Sequence, residues 1–446
     1  MISSQRGILK NSRPLLVAGA LALCLLGSSA AADGTPGGTK DGSIKDTIDA
    51  SGSLNDALGI SGSLRAGYWS QDKTFTDNTG YSVNSAWLTL RPKEVEGFKF
   101  YLDGYVQEQD LARKEDAHSE LREFYVEKSI GSFDFKMGRQ ITVWGRADRV
   151  NPTDNLSVSN LKLLMTDTED QRLGVAAVQA VYNSGQYRLI GIYIPEWRSP
   201  TYPIQNSAGA SVSDISKSGF QNQFGIKLDK SGGAVDWSFS YFDGFSKTPD
   251  LSLVSASSWG LNVGLNYDRI RVIGSDFALN LGSYGFRGEA AYTRTENSDG
   301  TSPLIQKPNL YAVIGGDRTF WENFNVNAQI MYRHAFGFQD PARISDPNIR
   351  TVASIESIIT NQQFEDQAGM TLRPSYKMFN ETLEMEVAFV RWFGKGESLI
   401  RPKVTYAFTD KFKGIVGGEI YSGPPDSTFG LLKHASSAFA ELRYNF

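Results

Sequence analysis

The 446-residue chain has one cysteine, Cys24, and three histidines, His118, His334 and His434. So few donors exclude a thiolate metal site and leave little for a histidine-based metal cluster or catalytic triad, and the missing CxxCH motif excludes attached c-type haem. Long hydrophobic runs are also scarce. The one strong run, Leu15 to Leu26, is too short for the roughly 20 apolar residues that a membrane-spanning helix needs. With a mean hydropathy of -0.30, a bundle of transmembrane helices is ruled out. There is no basic stripe either: 45 Lys and Arg are outnumbered by 49 Asp and Glu, which offers no surface for nucleic acid.

The apolar run follows Arg6, Lys10 and Arg13 and precedes Ala30-Ala31-Ala32. Those three regions predict a signal peptide over residues 1–32, cut after Ala32. Cys24 lies within it, so the mature chain has no thiol for disulfides, metals or nucleophilic chemistry. Residues 33–59 are rich in Gly, Ser, Thr and Asp, and Ile44 to Leu58 allow a short helix that Gly52 would interrupt. A periplasmic tail is the preferred reading there, with a partial plug as the alternative.

What the chain has in quantity is glycine (44), tyrosine (19) and phenylalanine (26), arranged with a period of two. In Ser436 to Phe446, Ala438, Ala440, Leu442, Tyr444 and Phe446 share one parity, and Glu441, Arg443 and Asn445 share the other. This two-faced pattern recurs at lengths of about ten residues from residue 60 onward, which is what a bilayer-crossing strand requires. An open sheet edge cannot be hydrated in hydrocarbon, so the sheet must close. The expected fold is all-β: a transmembrane antiparallel outer-membrane β-barrel of about 18 strands (16–18), over residues 60–446. Its strands run from 60–70 to 436–446, with the fifth at 133–144, the sixth at 170–182, the tenth at 259–271 and the eleventh at 276–295. Connections after even-numbered strands are short, as at Pro92 to Glu96, Trp321 to Asn323 and around Gly274, and the others include long ones. That asymmetry, with an even count, places both termini in the periplasm of a Gram-negative cell.

A charged side chain facing lipid costs up to about 2–4 kcal/mol near the midplane, so the polar parity must face inward. It carries both signs: Asp103, Glu123, Arg333, Glu384 and Glu386, with Asp229, Glu289, Arg401, Lys403, Glu441 and Arg443 among others. Eighteen strands enclose more space than wall side chains can fill, so water, a folded-in loop or a passenger must occupy it. Tyr68-Trp69, Trp87, Trp197, Trp321 and Trp392-Phe393 lie near strand ends, where an aromatic girdle is expected.

Residues 138–154 read GRQITVWGRADRVNPTD. Gly138-Arg139-Gln140, Trp144-Gly145, Asp148, Asn151-Pro152 and Asp154 resemble the signature of a proteobacterial outer-membrane barrel family catalogued under domain of unknown function 1302. Alginate exporters and general porins place charged motifs at comparable points. The resemblance covers roughly residues 50–446 and implies export or uptake of hydrophobic compounds. By parity Arg139 falls between the lipid-facing Met137 and Ile141, so a bulge at Gly138 is expected to turn it inward. The loop at 145–169, with Arg146, Asp148, Arg149 and Asp154, is expected to carry a helix from Asn155 to Met165. It is a candidate to fold into the lumen, its alternative being a surface loop shaped by ion pairs.

The leading functional reading is a porin-like channel for passive or substrate-specific passage of small molecules. Selectivity would come from Arg139, Arg146, Asp148, Arg149 and Glu123 at a narrow zone. No catalysis, cofactor or metal is expected. Partners would be outer-membrane lipid and lipopolysaccharide, a small-molecule solute, and the barrel-assembly machinery during insertion; monomer and trimer both remain open. Three alternatives are a transporter of hydrophobic small molecules, a barrel-embedded hydrolase and a structural sleeve for a partner. Tyr101, Tyr105, Phe439 and Trp144 point inward for the first of these, whereas the hydrolase would need three distant histidines to converge.

Overall fold

Alternation of apolar and polar residues closes the chain into eighteen antiparallel strands in the computed structural model, which describes residues 55, 57–71, 79–109, 117–202, 206, 210–216, 219–258 and 260–446. The expected signal peptide and nearly all of segment 33–59 lie outside the described residues. The strands are β1 (Ile60–Gln71), β2 (Thr79–Leu90), β3 (Phe98–Gln109), β4 (Ala117–Ile130), β5 (Phe133–Gln140), β6 (Val175–Ser184), β7 (Tyr187–Trp197), β8 (Gly219–Lys230) and β9 (Asp236–Phe245). They continue as β10 (Arg269–Leu281), β11 (Tyr284–Arg294), β12 (Asn309–Phe320), β13 (Phe324–Ala335), β14 (Asp366–Met378), β15 (Leu383–Trp392), β16 (Glu397–Ala407), β17 (Phe412–Ser422) and β18 (Ser437–Asn445).

Each strand pairs with its chain neighbours, and β1 pairs with both β2 and β18, so the sheet has no edge. The seam ends on the terminal aromatic residue. Phe446 donates its N–H to the Gly62 carbonyl (3.1 Å) and accepts from the Gly62 N–H (3.0 Å). Successive residues face opposite media, as Ile330 and Met331 on β13 illustrate: one is 62% exposed toward the lipid side and the other 0%. Tight turns join the strands at one rim, and the long connections all lie at the other.

Three expectations require correction. The strand predicted at 259–271 is not part of the wall. Residues Asp250–Ser257 and Gly260–Asn266 form a hairpin beyond the long-loop rim, Ala210–Asp214 joins it in parallel, and the tenth wall strand begins at Arg269. Gly274 is therefore no turn. It sits within β10, where a Cβ would come within 2.5 Å of the Thr153 methyl, and the turn falls at Gly282. The hairpin's own alternation is as good as a wall strand's, which is why the pattern misassigned it.

The helix expected over Asn155 to Met165 does not form. Val158 and Ser159 pair with Leu173 and Arg172, and the apolar side chains beyond point to different parts of the wall. An extended chain can serve facing surfaces, whereas a helix buries one stripe.

The girdle is also incomplete. Trp69, Trp87 and Trp392 point inward and are 1%, 5% and 1% exposed, because Tyr68 and Phe393 take the lipid-facing parity beside them. Tyr68, Trp321 and Phe393 do face outward.

Over the long-loop rim the hairpin packs on α1 (Pro347–Ile359), burying Leu251, Val263 and Leu265 against Val352, Ile355 and Ile359. Asp346 caps α1, accepting from the N–H groups of Asn348 (2.8 Å) and Ile349 (3.0 Å), with Pro347 at the first helical position. Under this cap two carboxyls meet: Glu356 accepts from Leu251 N–H (2.9 Å) and Asp250 from Gln306 N–H (2.7 Å). Burial raises both carboxyls, Asp250 to about 8.

Candidate functional site: the lumen and its inner segment

Residues 141–174 leave the wall after β5 and re-enter it at β6. Between those points they cross the barrel interior, making side-chain contacts with strands on opposite sides. The wall that receives them is divided by charge. Strands β8, β10 and β11 present Asp229, Asp276 and Glu289, and both Asp229 and Asp276 take up the Arg146 guanidinium. Glu289 accepts four hydrogen bonds, from the N–H groups of Arg146 (3.1 Å), Ala147 (3.2 Å) and Thr153 (2.6 Å) and from the Thr153 hydroxyl (2.7 Å). With four hydrogen bonds to the segment, Glu289 is an anchor of its start beside the Arg146 ion pairs.

The opposite wall meets the segment's end with cations. Arg401 on β16 donates to the Met165 (2.9 Å) and Thr166 (3.1 Å) carbonyls, and Lys403 (3.1 Å) and Arg443 (2.9 Å) hold Asp167. Arg65 on β1 pairs with Asp170, and Arg122 on β4 donates to the Arg172 (3.0 Å) and Glu169 (3.3 Å) carbonyls. Burial alone would raise the Asp167 carboxyl, but Lys403 and Arg443 outweigh it and hold it well below the usual carboxylate range. Midway, Asp148 pairs with Arg373 (2.7 Å) and Arg149 with Glu386 (2.7 Å), while Arg373 also reaches Glu386 (3.1 Å). The segment thus runs from a cationic start to an anionic end, across a wall of the opposite polarity.

Apolar residues supply the second grip. Trp144, Leu156 and Val158 pack among Ile192, Phe242 and Val272, and Ala147 and Val150 lie against Tyr311, Met331 and Trp392. Leu164 meets the stacked pair Trp69 and Phe439 (4.5 Å between centroids), and Leu163 and Met165 meet Trp87 and Tyr105 (4.4 Å). The motif residues now have physical roles. Gly145 has φ +103° and leaves no room for a Cβ, which would stand 2.5 Å from a Glu289 oxygen. Trp144 lies over Gly225 of β8, where a Cβ would come within 2.6 Å of the indole.

Of the ten residues singled out from the sequence, Arg146, Asp148 and Arg149 meet wall partners in the interior, as described. Asp154 accepts from Ser157 N–H (3.3 Å) and lines a cavity beneath the cap. Glu123 accepts from Ile141 N–H (2.8 Å), and Asp103 takes Arg122 (2.8 Å) and Thr89 (2.9 Å). Arg333 donates to the Thr360 and Asn361 carbonyls, and Glu384 shares the inward parity of Glu386, near the short-turn rim.

Arg139 is a correction. β5 pairs in unbroken register from Phe133 to Gln140, so no bulge forms at Gly138 and Arg139 keeps the outward parity of Phe133, Phe135 and Met137. The bulge lies instead in β4, where Arg122 is the extra residue opposite Asp103 and Gly104. Arg139 avoids hydrocarbon because it sits at the strand's end, where its guanidinium reaches back to Glu120 (3.3 Å) and the Leu121 carbonyl (3.2 Å).

Sequence reasoning missed Arg373, Asp276, Asp167, Asp170, Arg65 and Arg122. Asp276 was hidden by the misplaced tenth strand, and Arg373 shares the inward parity of β14 and was legible. Asp167 and Asp170 lie where no period exists. Of the histidines, His118 faces inward against Tyr105, whereas His334 faces outward with Asp366 (2.8 Å), so these two cannot share a site.

A closed, lipid-faced wall of eighteen strands around a wet, charged interior defines an outer-membrane β-barrel. Within that class, the family described as a protein of unknown function (DUF1302) matches residues 71–446, and the chain belongs to it. No curated protein matches. Among solved structures the chain is similar to OccAB1 of Acinetobacter baumannii (9% identity, 87% of this chain and 95% of that one, TM-score 0.52). It is also similar to the outer membrane protein OpdK of Pseudomonas aeruginosa (9%, 87% and 98%, 0.52) and to OccK5 (OpdH) of the same organism (10%, 87% and 97%, 0.50). At such low identity these likenesses speak for the fold alone.

Proposed function

We propose that this protein is an outer-membrane channel for small solutes, with residues 145–169 setting the width and selectivity of the passage. The observation that carries the reading is the polarised docking of that segment. An interior filled only for stability would be better served by apolar packing, since buried ion pairs contribute little net stability. Here paired charges of both signs line the route, which suits a hydrated solute that exchanges partners as it moves. The short-turn rim and both termini would face the periplasm and the capped rim the exterior. Arg146, Asp148, Arg149 and Glu386 would form the narrow zone, with Asp103, Glu123, Arg333 and Glu384 on its approaches. Arg139, being turned outward, would have no part in selection.

Single-channel recording in planar bilayers tests this. The native barrel should show small, ion-selective conductance steps, and replacing residues 146–169 by a short Gly/Ser linker should enlarge them several-fold. A barrel that stays sealed in both forms would sink the channel reading.

A second reading, passage of hydrophobic small molecules, is favoured by the inward aromatics Trp69, Trp87, Tyr105, Trp392 and Phe439. They form apolar patches that the segment's own Leu163, Leu164 and Met165 cover, with Ala147 and Val150 against Trp392. Uptake of an apolar dye into barrel-bearing vesicles, faster in the linker variant, would support it.

A further inference from the structure

Between the inner segment and the wall at the long-loop rim lies a cavity of about 210 Å³. A space of about 150 Å³ is enough to hold a benzene ring. Three elements contribute its charged lining: Lys247 on the connection from β9 to β10, Arg333 on β13, and Asp154 with Arg172 on the inner segment; Tyr311 on β12 is the remaining titratable group.

These charges do not balance. Arg333 is 9% exposed, and its Nη1 donates to the Thr360 (2.7 Å) and Asn361 (3.2 Å) carbonyls at the end of α1. The guanidinium lies over the Tyr311 ring (4.2 Å), its Nε has no hydrogen-bond partner, and among the described residues no carboxylate acts on it. The Lys247 ammonium lies over Trp197 (4.7 Å), and Asp154 is the one carboxylate that acts on it. Asp154 is shared, because Arg172 attracts it as well. Lys247 therefore has one carboxylate, shared with Arg172, and Arg333 has none among the described residues, and surplus charge beside a partly buried cavity calls for a counter-charge. The ring of Tyr311 on the lining, Ile270 and Leu161 supply apolar surface beside it.

We propose that this cavity binds a small organic anion, a carboxylate on an aromatic or apolar body, with its charge set between Lys247 and Arg333. The inference rests on the channel reading and names the class of solute that would pause beneath the cap before passing the inner segment. Burial lowers the Lys247 ammonium to about 8 against the pull of Asp154, and burial raises the Asp154 carboxyl. Rising pH thus removes positive charge at Lys247, which weakens anion binding as pH passes about 8.

Calorimetric titration of the full barrel in detergent with benzoate, benzamide as the neutral counterpart, tests the site. Benzoate should bind saturably and at least tenfold more tightly than benzamide, and more weakly at pH 9 than at pH 7. Lys247→Gln should lower benzoate affinity tenfold or more, and Lys247→Arg should retain it. Arg333 also holds the end of α1, so the test turns on Lys247, whose variants are accepted only if they keep the native barrel's heat-modifiable migration on gels. Equal binding of benzoate and benzamide, or unchanged benzoate affinity in Lys247→Gln, overturns the proposal. The two readings fail separately: a barrel that binds benzoate but passes no ions loses the channel and keeps the site, and one that conducts without binding benzoate does the reverse.

Discussion

Every strand of the wall is held on both sides by backbone ladders, whereas residues 141–174 have a ladder of two residue pairs, Val158 with Leu173 and Ser159 with Arg172, and a single bridge from Asn160 to Thr201. Side chains hold most of the rest of that segment to strands across the lumen. The wall answers to its solvent, because one face must be apolar and one polar along every strand. The inner segment answers to particular partners: an acidic patch for its start, a basic patch for its end, and aromatic seats between. Damage to the two regions should therefore read out differently, one as failed insertion and the other as an altered passage through an intact barrel.

The largest effect is expected at the wall. Ile330→Arg places a guanidinium on the lipid face at the middle of β13, at a cost of up to about 4 kcal/mol. The yield of heat-modifiable, folded barrel in outer membranes should drop steeply, and normal insertion would break the claim that this parity faces lipid.

Next comes the segment's start. Arg146→Ala removes the partner of two carboxylates whose side chains are 4% and 2% exposed, which would ordinarily cost about 3–5 kcal/mol. The lower end, about 3 kcal/mol, is expected because Arg188 (3.2 Å) and Lys227 (3.4 Å) still attend Asp229 and Asp276. The barrel should insert normally and show larger or noisier conductance; unchanged current would mean that Arg146 does not hold the segment in place.

The smallest effect belongs to the segment's end. Asp167 is held below the ordinary carboxylate range, so its contribution is fully present above about pH 4 and is lost as the pH falls through its folded-state value. Asp167→Asn should mimic that loss at neutral pH, loosening the segment by about 1–2 kcal/mol, because the pair is partly exposed to water. Conductance of the native barrel should rise on strong acidification, with a smaller further rise in the variant; identical acid responses would remove Asp167 from the account.

Strand number, the sidedness of turns and the inward charges were legible because the wall's period of two repeats wherever lipid and water meet across a single strand. The tenth strand was misread for the same reason: Leu261, Val263 and Leu265 alternate as well as any wall strand, yet they pack against a helix above the rim. Trp69 and Trp392 were read by their place near strand ends instead of by parity, and parity puts both inside. Arg139 was read by its cost in hydrocarbon, which the end of the strand and Glu120 remove without a bulge. In the inner segment, Trp144-Gly145 marked a constrained point, but the Glu289 that makes the glycine necessary lies far along the chain and announces nothing.

The amino-acid order by itself determined the closed wall, since burial in lipid on one side and water on the other acts on each residue locally and leaves a repeating trace. Only the tertiary structure decided the path of residues 141–174, the acidic and basic patches that receive its two ends, and the surplus of positive charge under the cap. Those depend on side chains brought together across the barrel from positions up to hundreds of residues apart, and electrostatic pairing of that kind has no period to read.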